Sequence, residues 1–85
     1  MDLHHPFVAE FPAHRESIRT LKLADGNFRQ MFEEYHVLDD EICRIEEDLE
    51  FATDQEMEQL KFKRAKLKDA LYSAVQRHES ALVVR

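Results

Sequence analysis

The sequence predicts an all-α protein, an antiparallel helical hairpin of the coiled-coil type preceded by a short N-terminal helix. The chain of 85 residues contains one glycine and two prolines, and 35% of its residues are charged. This composition disfavours a turn-rich β protein and favours long helices. Apolar residues recur at intervals of three and four, as they do on one face of a helix. We therefore interpret residues 1–85 as a single small helical domain.

The N-terminal part of the sequence predicts a flexible tail at 1–11 and helix 1 at 12–24. Pro12 suits the first turn of a helix, where the missing N–H group is not needed. Asp25 and Gly26 form a break signal after this helix. Asp25 is also a suitable N-cap for the next helix, because its side chain can accept a hydrogen bond from the first turn.

Helix 2 is predicted at 26–50 from a heptad pattern of apolar residues. Its seam, the apolar stripe that faces the returning helix, comprises Phe28, Met31, Tyr35, Leu38, Ile42, Ile45 and Leu49. A pattern sustained over about three heptads is typical of a helix with one narrow apolar stripe.

Helix 3 is predicted at 54–80. Thr53 followed three residues later by Glu56 is the signature of a capping box at a helix start. The seam of this helix comprises Met57, Leu60, Leu67 and Leu71. Arg64 stands at a position where the pattern expects an apolar residue. Because few residues separate helices 2 and 3, the two helices are expected to fold back antiparallel.

Charged residues beside the two seams predict three ion pairs between the helices. With the turn near Thr53, the expected pairs are Glu46 with Lys61, Glu41 with Lys63, and Asp39 with Lys68. Exposed pairs contribute only about 0.2–1 kcal/mol each. Their larger role is expected in the register of the hairpin. The acidic residues of helix 2 that lie outside these pairs form either a solvated face or a docking strip for a basic partner.

Aromatic residues outside the seams predict a further contact surface. Phe62 falls on the outer face of helix 3, where an exposed aromatic residue indicates a partner. The candidate partner or oligomer surface comprises Phe7, Phe11, Phe32, Phe62, Asp40 and Glu47. Two arrangements stay open for the aromatic residues near helix 1. This helix folds back over its own hairpin, or a second subunit covers them, and the two arrangements are compatible with each other.

No group of residues in the sequence forms a catalytic, cofactor or metal signature. Glu33 and His36 have the Glu-x-x-His spacing of metal sites in helical bundles, but the heptad phase points both away from the seam. His4 and His5 lie in the predicted tail, without a cysteine or carboxylate at ligand spacing. The heptad phase also places Cys43 on an outer face. We therefore expect no cofactor and no metal.

The charge and the ends of the chain bear on its partners and location. A net charge of −6 repels phosphate backbones, so no binding to nucleic acid is expected. The start of the chain lacks the basic and apolar regions of a signal peptide, and one cysteine cannot form an internal disulfide. No run approaches the roughly 18 apolar residues of a membrane span. These features predict a cytoplasmic protein without a membrane partner.

Two segments, Leu21–Glu46 with the pattern "LK....NF..MFEEYHVLDDEICRIE" and Leu60–Leu71 with "LKFKRAKLKDAL", carry a family resemblance. They resemble the YdcH-like family of short bacterial proteins, a domain of unknown function. The resemblance implies a small helical hairpin in the cytoplasm of a Gram-negative bacterium, and it implies no catalytic residue. Phe62 departs from the family pattern, in which a basic or polar residue is common at this position.

The sequence as a whole predicts a non-enzymatic cytosolic protein that self-associates as a helical hairpin. It would act as a protein-interaction or adaptor module and form a dimer or a larger homo-oligomer. Two alternatives stay open. One is a metal or small-ligand binder that uses His36 and neighbouring carboxylates. The other is a nucleic-acid-associated protein that uses the basic block from Lys61 to Lys68.

Overall fold

The computed structural model describes residues 4–83 as helices joined by short turns, with no β-strand in this range. The α-helices are α1 (Phe7–Glu10), α2 (Arg15–Ala24), α3 (Gly26–Glu46) and α4 (Asp54–Val83), and a 3₁₀ helix (Pro12–His14) precedes α2. The predicted all-α class is confirmed. Residues 1–3 of the predicted tail lie outside the described range. Among the helices described, none has the length and apolar content that crossing a membrane requires.

The two long helices form the predicted antiparallel hairpin. Helix α3 has 21 residues and α4 has 30, and the molecule is 51 Å long. One end of the hairpin is the turn end, where α3 connects to α4. The opposite end is the covered end, where α2 packs on both long helices. The predicted N-cap of α3 is confirmed, because the Phe28 N–H donates to Asp25 Oδ1 at 3.1 Å.

Helix α3 ends at Glu46, before the predicted end at residue 50, because a local backbone motif stops it. Asp48 adopts a positive φ of 61°. Its N–H and the N–H of Leu49 donate back to carbonyls in the last turn of α3, at 3.1 and 2.8 Å. This pair of bonds is the Schellman motif, which satisfies carbonyls at a helix C-terminus. Leu49 is consequently 71% exposed, so its assignment to the hairpin seam is wrong.

The start of α4 has the predicted capping box, which is thereby confirmed. The Thr53 N–H donates to Glu56 Oε1 at 2.9 Å, and the Glu56 N–H donates to Thr53 Oγ1 at 3.1 Å. The two bonds satisfy donors that a helix start leaves without an intrahelical partner. The helix then runs without interruption to Val83, beyond the predicted end at residue 80.

Of the residues before α2, those from residue 4 onward pack on the hairpin, contrary to the flexible tail predicted at 1–11. The Phe7 ring is fully buried and meets the Tyr35 ring edge-on, with centroids 5.9 Å apart. His5 is fixed through its backbone. Its N–H donates to Asp39 Oδ2 at 2.9 Å, and its carbonyl accepts from the Tyr35 hydroxyl at 2.7 Å. These partners lie in α3, far along the chain, so local sequence signals do not reveal them.

Helix α2 completes the core at the covered end. The buried core residues there are Phe7, Ile18, Phe28, Tyr35, Leu71 and Val75. They come from all four α-helices, so the N-terminal segment and the hairpin share one core. Phe11 also stacks on Tyr72 of α4, with ring centroids 4.8 Å apart. Of the two arrangements open for the aromatic residues near helix 1, the structure has the first, in which the same chain covers them.

Candidate functional site

Most of the predicted seam residues are removed from solvent in the hairpin. Phe28, Tyr35, Ile42 and Leu71 are buried, and Met31, Leu38, Ile45, Met57, Leu60 and Leu67 are half-buried. The sequence prediction missed Val75, which is fully buried one helical turn after Leu71. The seam is therefore mainly a structural core, although Leu38, Ile45 and Leu60 also line shallow surface grooves.

The ion pairs predicted between the long helices have three different outcomes. Lys61 Nζ lies 3.4 Å from Glu46 Oε2, so this pair forms near the turn end. No ion pair joins Glu41 to Lys63 within residues 4–83. Because Glu46 and Lys61 are both partly exposed, their pair contributes at most about 1 kcal/mol.

The third predicted pair, between Asp39 and Lys68, is wrong. Arg64 occupies a seam position and reaches inward, so its Nη1 donates to Asp39 Oδ1 at 2.8 Å. The backbone N–H of His5 donates to Asp39 Oδ2. Asp39 is only 1% exposed, and these charge-assisted bonds replace the water that a carboxylate loses on burial. Lys68 instead pairs with Glu10 of α1.

Tyr35 completes this buried polar group through its bond to the His5 carbonyl. Burial first, and then the nearby carboxylates of Glu10 and Asp39, together raise the pKa of Tyr35 to about 12 against the opposing effect of the Arg64 guanidinium. The phenol is therefore protonated at neutral pH and keeps its hydrogen bond. We name Asp39, Arg64, Tyr35 and the His5 backbone the Asp39 cluster. It fastens the N-terminal segment to the hairpin.

His36 is engaged at both ring nitrogens, which disfavours the alternative of a ligand site at this residue. The Phe7 N–H donates to Nε2 at 3.3 Å, and Nδ1 lies 2.8 Å from the carbonyl oxygen of Phe32. Because a carbonyl oxygen can only accept, Nδ1 carries the proton. Glu33, the other member of the Glu-x-x-His spacing, is exposed. His36 thus holds α1 against α3.

A second polar contact joins the start of α2 to the end of α4. Glu79 accepts from the Ser17 hydroxyl at 2.7 Å and lies 2.8 Å from His14 Nδ1. The contact with His14, followed by that with Ser17, lowers the pKa of the Glu79 carboxyl. A carboxyl with a depressed pKa stabilises the fold above its ordinary pKa, and this contribution is lost as the pH falls through the folded value.

The fold brings together three metal-ligating side chains that are not adjacent in the sequence. One ligand atom each from His4, Asp39 and Cys43 lies within 4.8 Å of the other two. Asp39 and Cys43 are one helical turn apart in α3, and both are buried. The heptad placement of Cys43 on an outer face is therefore wrong, because the N-terminal segment covers that face. The spacing of Asp39 and Cys43 was a signal in the sequence, but the approach of His4 had none.

The basic block from Lys61 to Lys68 is largely neutralised within the chain. Its five cations are Lys61, Lys63, Arg64, Lys66 and Lys68. Three of them pair with carboxylates, and Lys66 Nζ lies 5.4 Å from the centroid of the Phe62 ring. These contacts reduce the positive potential that a phosphate backbone would meet.

Exposed apolar residues meet around Lys63, on the half of the hairpin nearer the turn. Lys63 lines three shallow grooves, of which one is lined by Val37, one by Phe51 and one by Phe62. These three side chains are 64%, 90% and 63% exposed. We name the four residues the Lys63 face. Sequence analysis singled out Phe62 but missed Phe51, which the early end of α3 leaves outside any helix.

Acidic residues surround the Lys63 face. The same grooves are lined by Glu33, Glu34, Glu41, Glu50, Glu56 and Glu58. Lys63 at the centre, Lys66 beside Phe62 and Arg44 paired with Glu50 offset only part of this negative charge. The face therefore combines apolar side chains with a negative rim, a combination that favours partners with basic residues or conditions that screen charge.

The other residues predicted for a partner surface lie elsewhere. Phe7 is buried, and Phe11 and Phe32 are half-buried in the aromatic packing of the covered end. They are thus part of the core and are not an open surface. Asp40 and Glu47 are exposed, as predicted, but they do not line the grooves of the Lys63 face.

Residues 28–74, which form more than half of the chain, match the family described as a protein of unknown function (DUF465). The chain belongs to this family. The resemblance to the YdcH-like proteins is confirmed, since they are part of DUF465. No curated protein and no solved structure matches the chain.

The DUF465 match covers most of the hairpin and leaves out the N-terminal elements. Helices α1 and α2 and the 3₁₀ helix lie before the matched range. The Asp39 cluster therefore joins three side chains from the matched hairpin to the backbone of His5, which lies outside it. The Lys63 face lies wholly within the matched range.

Proposed function

We propose that the chain is a non-enzymatic protein-interaction module that self-associates through the Lys63 face. The observation that carries this proposal is the exposure of Val37, Phe51 and Phe62 in adjoining grooves. Single exposed apolar residues are ordinary, whereas several on one surface are typical of an interaction site. A chain of 85 residues also gains from association, because a small domain buries a modest fraction of its surface.

The interior polar groups support a structural role for the rest of the molecule. Asp39 pairs with Arg64, His36 accepts from the backbone of α1, and Glu79 accepts from Ser17. Each of these contacts holds one segment of the chain to another. This favours a molecule whose function is carried by its surface.

The acidic rim gives self-association a characteristic salt dependence. In a dimer with two-fold symmetry, the same surface of each copy meets, so the two acidic rims approach each other. Salt screens such exposed charges, because the Debye length falls from about 10 Å at 0.1 M to about 3 Å at 1 M. Association is therefore expected to strengthen as the salt concentration rises.

Sedimentation over a range of micromolar to millimolar protein concentrations, at low and high salt, tests this proposal. The expected result is a dimer or larger species that becomes more stable at high salt. Phe62→Ser should weaken association at least about tenfold, since a central aromatic side chain often carries much of the binding energy. Leu23→Ser is the matched control, because Leu23 is also highly exposed but lies on α2. A monomer mass at the highest concentration would refute the proposal.

A different protein with basic residues beside apolar ones is the second candidate occupant of the Lys63 face. The six carboxylates that line its grooves favour such a partner. Binding of such a partner should weaken as the salt concentration rises, because salt screens the attraction between unlike charges. A monomeric chain that binds a basic, apolar peptide at low salt would support the second candidate over self-association.

A further inference from the structure

We propose that His4, Asp39 and Cys43 form a binding site for a divalent metal ion of the zinc class. This site is separate from the Lys63 face and does not depend on the function proposed for it. The three ligand atoms lie within 4.8 Å of one another. In a tetrahedral zinc site, bonds of about 2.0–2.3 Å place neighbouring ligand atoms about 3.3–3.8 Å apart. Small side-chain rotations would therefore bring all three atoms to bonding distance from one ion.

The chemistry of the donors selects the class of metal. A thiolate sulfur, an imidazole nitrogen and a carboxylate oxygen are the three ligand types that zinc uses in proteins. Magnesium and calcium prefer oxygen ligands alone, so Cys43 disfavours both. Three protein ligands leave a fourth position for water, which is the arrangement of an open zinc site.

Neighbouring groups orient His4 and Asp39. His4 Nε2 lies 2.8 Å from Asp40 Oδ1, and a carboxylate beside a histidine ligand fixes the orientation of the ring in many metal sites. Asp39 is held in place by Arg64 and by the His5 N–H. Each carboxylate oxygen has a second lone pair, so these bonds are compatible with coordination.

The charges around the site balance a bound divalent ion. Cys43 would bind as the thiolate and release its proton to solvent. With the carboxylates of Asp39 and Asp40 and the guanidinium of Arg64, the formal charges of the ion and its surroundings cancel. This balance matters because Asp39 and Cys43 are each only 1% exposed, and an uncompensated charge at such depth is costly.

A bound ion would couple the N-terminal segment to the hairpin. His4 precedes α1, whereas Asp39 and Cys43 belong to α3. The ion would thus cross-link two parts of the chain that are distant in sequence. Because the site is complete only in the folded chain, zinc should raise the melting temperature, and the rise should grow with the logarithm of the free zinc concentration above the dissociation constant.

Calorimetric titration of the metal-free, tag-free full chain with zinc chloride tests the site. The expected result is one ion bound per chain and a raised melting temperature. His4→Ala removes the most exposed ligand and should lower the zinc affinity at least about tenfold. His5→Ala is the matched control, because it retains the backbone bonds to Asp39 and Tyr35 and should bind zinc as the unmodified chain does. Equal affinities in the two variants, or no binding to the unmodified chain, would overturn the proposal.

Cobalt provides a second measurement that does not depend on the stability of a variant. A thiolate bound to Co²⁺ gives a charge-transfer band in the near ultraviolet. The chain has a single cysteine, so such a band reports on Cys43. We expect the band in the unmodified chain and in His5→Ala, and its loss in Cys43→Ser. A cobalt titration of the unmodified chain without this band would exclude coordination by Cys43 and with it the proposed site.

Discussion

The two ends of the hairpin differ in what covers their apolar side chains. At the covered end, the N-terminal segment brings Phe7 and Ile18 onto the hairpin, and both are buried. Toward the turn end, Phe51 and Phe62 stay exposed. The difference comes from the N-terminal segment, because both ends are built from the same two helices. Substitutions at the two ends should therefore have different effects on folding and on the association proposed for the Lys63 face.

The largest difference is expected between phenylalanines at the two ends. Phe7→Ala should lower the free energy of unfolding by about 3–5 kcal/mol, because it empties a fully buried site. Phe51→Ala should change it by less than about 0.5 kcal/mol, because the ring is exposed. Urea unfolding at low protein concentration measures both. Similar losses in the two variants would show that the turn end is also part of the folding core.

The Asp39–Arg64 pair should give the next largest effect. Arg64→Leu leaves a buried carboxylate without its cation and should cost about 3 kcal/mol. Lys61→Leu breaks only the exposed pair with Glu46 and should cost at most about 1 kcal/mol. The comparison is again made by urea unfolding. Equal losses of unfolding free energy in the two variants would show that Arg64 is not needed to offset the charge of the buried Asp39 carboxylate.

The covered end should also be sensitive to alkali through Tyr35. The folded pKa of about 12 exceeds the ordinary value of 10.0, so the folded state holds the proton more tightly. The contribution to stability is therefore complete below pH 10 and is lost as the pH rises to 12. The loss should be at most about 3 kcal/mol, since a rise of about two pKa units at about 1.4 kcal/mol each sets the upper limit and solvent screening reduces it.

Tyr35→Phe provides the control for this pH effect. It removes the titrating group and the bond to the His5 carbonyl, so it should be less stable at neutral pH by about 1 kcal/mol. Its stability should then fall less between pH 10 and 12 than that of the unmodified chain. If the stability of the two proteins fell equally between pH 10 and 12, the loss would come from the deprotonation of lysines in ion pairs and not from Tyr35.

A smaller effect is expected from charge reversal near the turn. Glu46→Lys and Lys61→Glu should each cost up to about 1 kcal/mol, and the double reversal should cost less than their sum. Glu41→Lys and Lys63→Glu form the matched control cycle, because no ion pair joins these residues within residues 4–83. Coupling in the second cycle as well as in the first would support the register predicted from the heptad, in which both pairs form.

The smallest effect is expected at the end of α3. Asp48 has a φ of 61°, a left-handed conformation that glycine adopts at lower cost than aspartate. Asp48→Gly should raise the melting temperature slightly, by an amount equivalent to about 0.5 kcal/mol. Destabilisation by this substitution would show that the aspartate side chain itself holds the turn.

The elements that could be predicted from the sequence depend on local spacing. The heptad residues, the Asp25 cap and the Thr53 capping box each follow from neighbours within one or two helical turns. These signals were sufficient for the all-α class and the hairpin. They were insufficient at the end of α3, because the backbone conformation of Asp48 outweighed the heptad position of Leu49.

The features that could not be predicted depend on chain segments that meet only after folding. The heptad pattern describes only the two long helices, so it places Cys43 on an outer face. In the structure, the N-terminal segment covers that face. Arg64 interrupts the apolar pattern at a seam position, but the predicted ion pairs join only residues that flank the seam, so Asp39 is matched with Lys68. The approach of His4 to α3 has no sequence signal at all.

The connection between α3 and α4 also determines how the protein would respond to a protease. Phe51 lies outside any helix and is 90% exposed, so a chymotrypsin-type enzyme should cleave after it, as enzymes of this kind do at exposed loop tips. The core at the covered end takes Phe28 and Tyr35 from the first fragment and Leu71 and Val75 from the second. The two fragments should therefore stay bound to each other after cleavage. The covered end is then a noncovalent joint that holds the hairpin together without its turn.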